Sequence, residues 1–161
     1  MSLLVIGPPA SGKTTLLRDA CRQLSDKGYR MAIADERSEL AAASHGVPQL
    51  NVGRCTDVLD GCPKELSLRW LLRAMSPDAI VTDELGAPED APALLDAAQS
   101  GVAVLASAHG RTLEETLNRS SLYPLVRQKA FARYAVLDGK RVGRIAALYD
   151  EAMQPLAPTS E

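Results

Sequence analysis

The octapeptide GPPASGKT, residues 7–14, constrains this chain more than any other stretch. It satisfies the spacing G-x-x-x-x-G-K-[ST] at every fixed position. A loop of this kind leaves backbone N–H groups clear of side chains ahead of a helix N-terminus. A polyphosphate is the ligand whose charge density suits that arrangement. Gly7 and Gly12 permit the turn and the close approach, Pro8, Pro9, Ala10 and Ser11 supply the backbone between them, and Thr15 follows. Lys13 is placed to meet the β- and γ-phosphates, and Thr14 to offer its hydroxyl to Mg²⁺. With glycine at about 7% of residues, a chance match in a chain this long is on the order of one percent.

The flanks agree with the loop. LLVIG (3–7) is a continuous apolar run, as in a strand buried on both faces. Leu16, Leu17, Ala20, Cys21 and Leu24 then recur at helical spacing until Gly28 stops them. YRMAIAD (29–35), AIVTD (79–83) and VAVLASAH (102–109) read as further strands. Ala91, Leu94, Leu95 and Ala98 predict a helix closing at Gly101, and TLEETLNR (112–119) another with Thr112 as its cap. FARYAVLD and RVGRIAALYD around DGK predict a closing antiparallel hairpin. Strands alternating with helices mean an α/β chain with a mostly parallel central sheet flanked by helices. Residues 36–78 are the least regular, with helical spacing returning only at ELSLRWLLRAM. A segment like that inside a compact domain is usually functional or mobile.

Residues 1–150 are expected to form one domain and 151–161, polar and proline-containing, a flexible tail. Because apolar residues begin at Leu3, an upstream N-terminal domain is expected to be missing from this chain. A net charge of −2, with one Trp, four Tyr and one Phe, disfavours a nucleic-acid partner. Three cysteines without a CxxC pair fit reduced thiols in a cytoplasmic compartment, and their spacing with His45 matches no zinc pattern. No run approaches the ~20 apolar residues of a membrane span, so membrane contact would come through a partner.

PDAIVTDELG (77–86) sets two carboxylates, Asp83 and Glu84, behind an apolar run. In a parallel sheet the carboxyl ends of strands gather at one edge, the edge where the first strand delivers its loop. Asp83 would there hold the water shell of Mg²⁺, while Glu84 would orient or deprotonate an attacking water. That pair points to hydrolysis. No Arg-rich lid of a nucleotide kinase, LSGGQ-like transporter signature or NKxD guanine motif is evident, and no motif separates ATP from GTP. ADERSE places Asp35, Glu36 and Arg37 near the phosphates, and ASAHG places Ser107 and His109 where a γ-phosphate sensor would lie.

GPPASGKTTLLRD, ADERSE, GVPQ, DVLDGCPK, AMSPDAIVTDELG and ASAHG, in this order, resemble the ATPase domain of the stage III sporulation protein AA family. That family is related to the type II and type IV secretion ATPases. The likeness runs over residues 3–149. It implies a RecA-like P-loop ATPase that uses ATP and Mg²⁺, assembles as a homo-hexamer, and powers a channel complex between mother cell and forespore. It implies a cytoplasmic motor, peripheral at the membrane through an integral membrane partner. It also implies that Asp35 and Glu36 act as an acidic box and His109 as a histidine box near the γ-phosphate, with Glu84, Lys13 and His109 catalytic. Position 10 is Ala where this family usually has Gly. Two alternatives stay open: a nucleotide-gated docking module with little turnover, and a nucleic-acid-dependent ATPase of the same fold.

Overall fold

The apolar run at the amino end becomes β1 (Leu3–Gly7), a strand with parallel neighbours on both sides. In this computed structural model, which describes residues 1–156, it is followed by α1 (Lys13–Asp26), β2 (Met31–Asp35), β3 (Thr56–Asp60), α2 (Lys64–Met75) and β4 (Ala79–Leu85). Then come α3 (Asp90–Gln99), β5 (Ala103–His109), α4 (Leu113–Leu117), α5 (Tyr123–Arg127), β6 (Arg133–Leu137) and β7 (Ile145–Asp150). The strands form one sheet in the order β3-β2-β4-β5-β1-β6-β7, parallel throughout except for the antiparallel β6–β7 pair. This is the α/β, RecA-like architecture with its C-terminal hairpin.

Alternation along the strands divides the core into two layers. Leu4 and Ile6 face Leu68 and Leu71 of α2, Leu94 of α3 and Leu125 of α5. Val5 points the other way, into a layer with Leu17 and Cys21 of α1 and with Leu40, Ala41 and Val52. Both faces of the central strands are therefore covered, which is why they read as uninterrupted apolar runs. Burial also pushes the Cys21 thiol up to about 11, so it packs as a small apolar group.

The structure differs from expectation between residues 36 and 78. TDVLD is not irregular but an edge strand, β3, paired with β2 from Met31↔Thr56 to Asp35↔Asp60. It is only half covered, so it never shows the continuous apolar run of its neighbours. α5 was likewise not legible, being five residues long. At the other end, residues 151–156 of the expected tail turn back along β7, with Leu156 N–H donating to Leu148 O at 2.8 Å. The remainder of that tail lies outside the described residues.

Asp35 shapes the segment that leaves β2. It is buried, and its carboxylate accepts from the backbone N–H of Glu39 (2.9 Å), Leu40 (3.0 Å) and Ala41 (2.8 Å). Three donors that would otherwise be stranded are satisfied by one side chain, and Leu40 and Ala41 are drawn into the core. Asp35→Ala is expected to lower stability by about 2–3 kcal/mol, read as a lower urea midpoint, and to open residues 36–52 to proteolysis. An unchanged midpoint would show that these bonds do not hold the segment.

Candidate nucleotide site

The loop between β1 and α1 closes on itself. Pro8 O accepts from Ser11 Oγ and from Lys13 Nζ, each at 2.9 Å. Gly12 takes a left-handed conformation (φ 95°) as the first residue before α1. No side chain caps the helix and no acid lies in its first turn. The free N–H groups and positive end of a 14-residue helix therefore face a cavity of about 250 Å³, lined by Ala10, Gly12, Lys13, Thr14, Thr15 and Val142. Burial of the Lys13 amine lowers its pKa from the ordinary value, against the pull of Asp83, Glu84 and Glu39 in the opposite direction.

Strand order brings the distant acids to this loop. β5 lies between β1 and β4, so the carboxyl end of β4 sits one strand away from Gly7. Across that gap the Thr14 hydroxyl donates to one oxygen of Asp83, and the Ser107 hydroxyl of β5 donates to the other. Ser107 Oγ also accepts from Glu84 N–H at 2.9 Å. The Asp83 carboxylate thus ties α1, β4 and β5 together.

Glu84 is held by its backbone more than by its side chain. Its φ of 49° is left-handed, at the register shift between Thr82 and Leu85. Its N–H is engaged by Ser107, and its carbonyl accepts from Lys64 Nζ at 2.8 Å. Lys64 is buried and lies 3.6 Å from Asp90, whose carboxylate also accepts from the N–H groups of Gly86 and Ala87. An exposed Glu84 carboxylate pairs with Arg37 from the segment after β2.

The residues named from sequence fall into two groups. Residues 7–15 line or form the loop, and Asp83 and Glu84 stand beside it. His109 ends β5 in register with Gly7, half-buried, and the next residue, Gly110, donates its N–H to Gly7 O at 3.2 Å. Asp35 makes no hydrogen bond to the loop; both its oxygens accept from its own segment, though it lines one recess with Asp83 and Glu84. Glu36 is exposed and lines a small recess with Arg37, Lys64, Asp83 and Glu84. Lys64 and Asp90 went unnoticed because a lysine opening a helix ordinarily reads as solvated. The only signal was its place in DVLDGCPK.

The sequence family described as "Sporulation stage III, protein AA" matches residues 1–156. Stage III sporulation protein AA of Bacillus subtilis is 42% identical over 167 residues, covering 99% of this chain and 54% of that protein. The type IV pilus assembly ATPase PilB of Pseudomonas aeruginosa is 32% identical over 117 residues, covering 73% of this chain and 19% of that one. The chain therefore spans about half the length of the first relative and far less of the second. Among solved structures, the VirB11 ATPase of the Brucella suis type IV secretion system superposes with a TM-score of 0.70 at 20% identity, over 94% of this chain and 48% of that one. That likeness is one of fold.

The lowered Lys13 pKa has a sign that can be measured. Between the lowered folded value and the ordinary 10.5, the unfolded chain binds more protons than the folded one, so stability rises with pH through that window. At neutral pH the desolvation of this half-buried amine outweighs the pull of Asp83, Glu84 and Glu39. Lys13→Met is expected to raise the thermal midpoint of the ligand-free protein at pH 7, by an amount that shrinks as pH approaches 10.5. A lower midpoint at pH 7 would mean that desolvation does not dominate at this amine.

Proposed function

The chain belongs to the Sporulation stage III, protein AA family, and on that premise we propose that it is a magnesium-dependent ATP hydrolase, the motor domain of a sporulation channel complex between mother cell and forespore. One observation carries the proposal: Asp83 hydrogen-bonds to Thr14 at the open N-terminus of α1, with Glu84 the next residue along β4. In this proposal residues 7–15 hold the triphosphate, and Lys13 gives up its bond to Pro8 O to neutralise the β- and γ-phosphates. The Thr14 hydroxyl and the Asp83 carboxylate are hard oxygen donors, a set that suits Mg²⁺. That ion would neutralise charge on the phosphates. Glu84 orients or deprotonates the water, and His109 stands by the γ-phosphate. Asp35 and Glu36 support this site from the end of β2, Asp35 by shaping the segment that carries Arg37.

The assembly is proposed on the same footing. Charge developing on a transferring phosphoryl group is commonly offset by an arginine from a neighbouring subunit. Arg111, Arg119, Arg127 and Arg133 lie in the half of the chain that follows β5 and are the candidates for a homo-hexamer. Of these, Arg119 faces Glu115 of its own chain at 3.9 Å. Among the described residues no helix is long and apolar enough to cross a membrane. A cytoplasmic motor held to the membrane by an integral partner fits that.

A nucleotide-gated docking module with little turnover is favoured by the Glu84–Arg37 pair, which occupies the carboxylate that hydrolysis would need. Two measurements separate the readings. Glu84→Gln is expected to cut steady-state phosphate release by roughly 10²–10⁴-fold, the range for loss of a general base, while ATP affinity stays near that of the parent. Full hydrolysis in this variant would remove Glu84 from the chemistry. Turnover per chain is expected to be slow when dilute and to rise with protein concentration as neighbours complete the site. Fast turnover independent of concentration would argue that one chain suffices.

A further inference from the structure

In a nucleotide site of this kind, the acids at the end of β4 set the direction in which the nucleotide would run. Asp83 and Glu84 lie on β4, on one side of β1, and Lys13 reaches toward them. The γ-phosphate end therefore points to β4, and the ribose and base must extend the opposite way, toward β6 and β7. The first structure met there is the seven-residue turn 138–144, DGKRVGR, between those two strands.

That turn is fastened to the phosphate loop. Gly143 N–H donates to Ser11 O at 2.8 Å. A Cβ added at Gly12 would lie 2.9 Å from Gly143 N and 3.3 Å from Val142 Cγ1, so Gly12 is required by the turn as well as by its φ of 95°. The turn is closed on itself by Asp138 N–H to Arg144 O at 2.8 Å. Val142 is nonetheless 78% exposed, an apolar side chain held out into water from a tethered turn. It forms one wall of the cavity otherwise made by Ala10, Gly12, Lys13, Thr14 and Thr15. Lys140, Arg141 and Arg144 surround it in sequence, all exposed. An exposed apolar side chain with cations on both sides of it in sequence, on a turn clipped to a phosphate loop, matches a nucleotide's own layout, a flat ring joined to an anionic tail.

We infer that the 138–144 turn is the base-side wall of the nucleotide site, with Val142 seated against the face of the purine ring and the turn's cations beside the α-phosphate and ribose. The inference rests on the loop being a nucleotide site. An isopropyl group reads a ring face rather than its hydrogen-bonding edge, so ATP and GTP share this wall alike.

The test is calorimetric titration of the full chain with Mg²⁺ and three probes: ATP, ADP and inorganic tripolyphosphate. Val142→Ser is expected to weaken ATP and ADP by roughly five- to tenfold, the loss of one to two methyl contacts, while tripolyphosphate affinity is unchanged. Lys13→Met is expected to weaken all three. Because Val142 is exposed, its substitution does not threaten the fold. As a direct readout, methyl-labelled Val142 is expected to show a nuclear Overhauser contact to base protons of bound ATP. If Val142→Ser leaves ATP and ADP binding unchanged, or weakens tripolyphosphate equally, the base-side assignment is overturned while the phosphate loop stands. If the parent chain binds none of the three, the nucleotide site itself is wrong and this inference falls with it.

Discussion

The site depends on one carboxylate shared between two hydroxyls. Asp83 accepts from Thr14 on one oxygen and from Ser107 on the other, and Ser107 in turn accepts from the backbone of Glu84. These groups come from three elements, α1, β4 and β5, and no local interaction brings any two of them together except Asp83 and Glu84. What does so is the strand order, which slots β5 between β1 and β4. Two adjacent acids at a strand end would repel if both faced the same medium. Here one is partly buried in a hydrogen-bonded cage and the other is exposed beside Arg37, so the repulsion is screened from both directions.

Two residues of the site also take a backbone conformation that L-residues rarely adopt. Among the non-glycine residues in the left-handed region are Ala10 in the phosphate loop (φ 58°) and Glu84 (φ 49°). A left-handed conformation costs an ordinary L-residue roughly 1–2 kcal/mol. Glycine would adopt the backbone at position 10 without that cost, so Ala10 keeps the loop's shape at some expense of stability. At Glu84 the conformation is imposed from both ends, by Ser107 on its N–H and Lys64 on its carbonyl. Together with a Lys13 amine whose partial burial opposes its charge, these are local choices made against the fold.

The frame of the fold was legible because its strands are buried on both faces. LLVIG, MAIAD, AIVTD and VAVLASAH could hardly be anything but strands, and GPPASGKT could hardly lie anywhere but after one. β3 was not legible because an edge strand covered on one side alternates weakly, and TDVLD over five residues offers too short a pattern. In the candidate site, residues that stand out by their chemical type were readable as candidates: Lys13, Thr14, Asp83 and Glu84. Residues whose role follows from where the chain turns were not. Asp35 looked like an acid among phosphates, yet its oxygens are engaged by three backbone amides six or fewer residues ahead. Val142 falls in RVGRIAALYD, expected as the second strand of the hairpin, but β7 begins only at Ile145 and Val142 lies in the turn, because nothing local says that Gly143 is tied to Ser11.

The buried Lys64–Asp90 pair follows from the same geometry. Replacing such a pair by packed apolar residues is often no less stable, so stability alone does not account for an ammonium at this depth. Lys64 also donates to the Glu84 carbonyl, and Asp90 also accepts from Gly86 and Ala87, so the pair spans the backbone on either side of Leu85. An apolar pair could fill the space but could not hold a carbonyl and two amides at set positions. The charge is therefore best understood as a device for fixing where β4 ends and in which direction Glu84 leaves it. Since α2 begins at Lys64 and α3 at Asp90, the first residues of two helices hold the backbone on either side of Leu85.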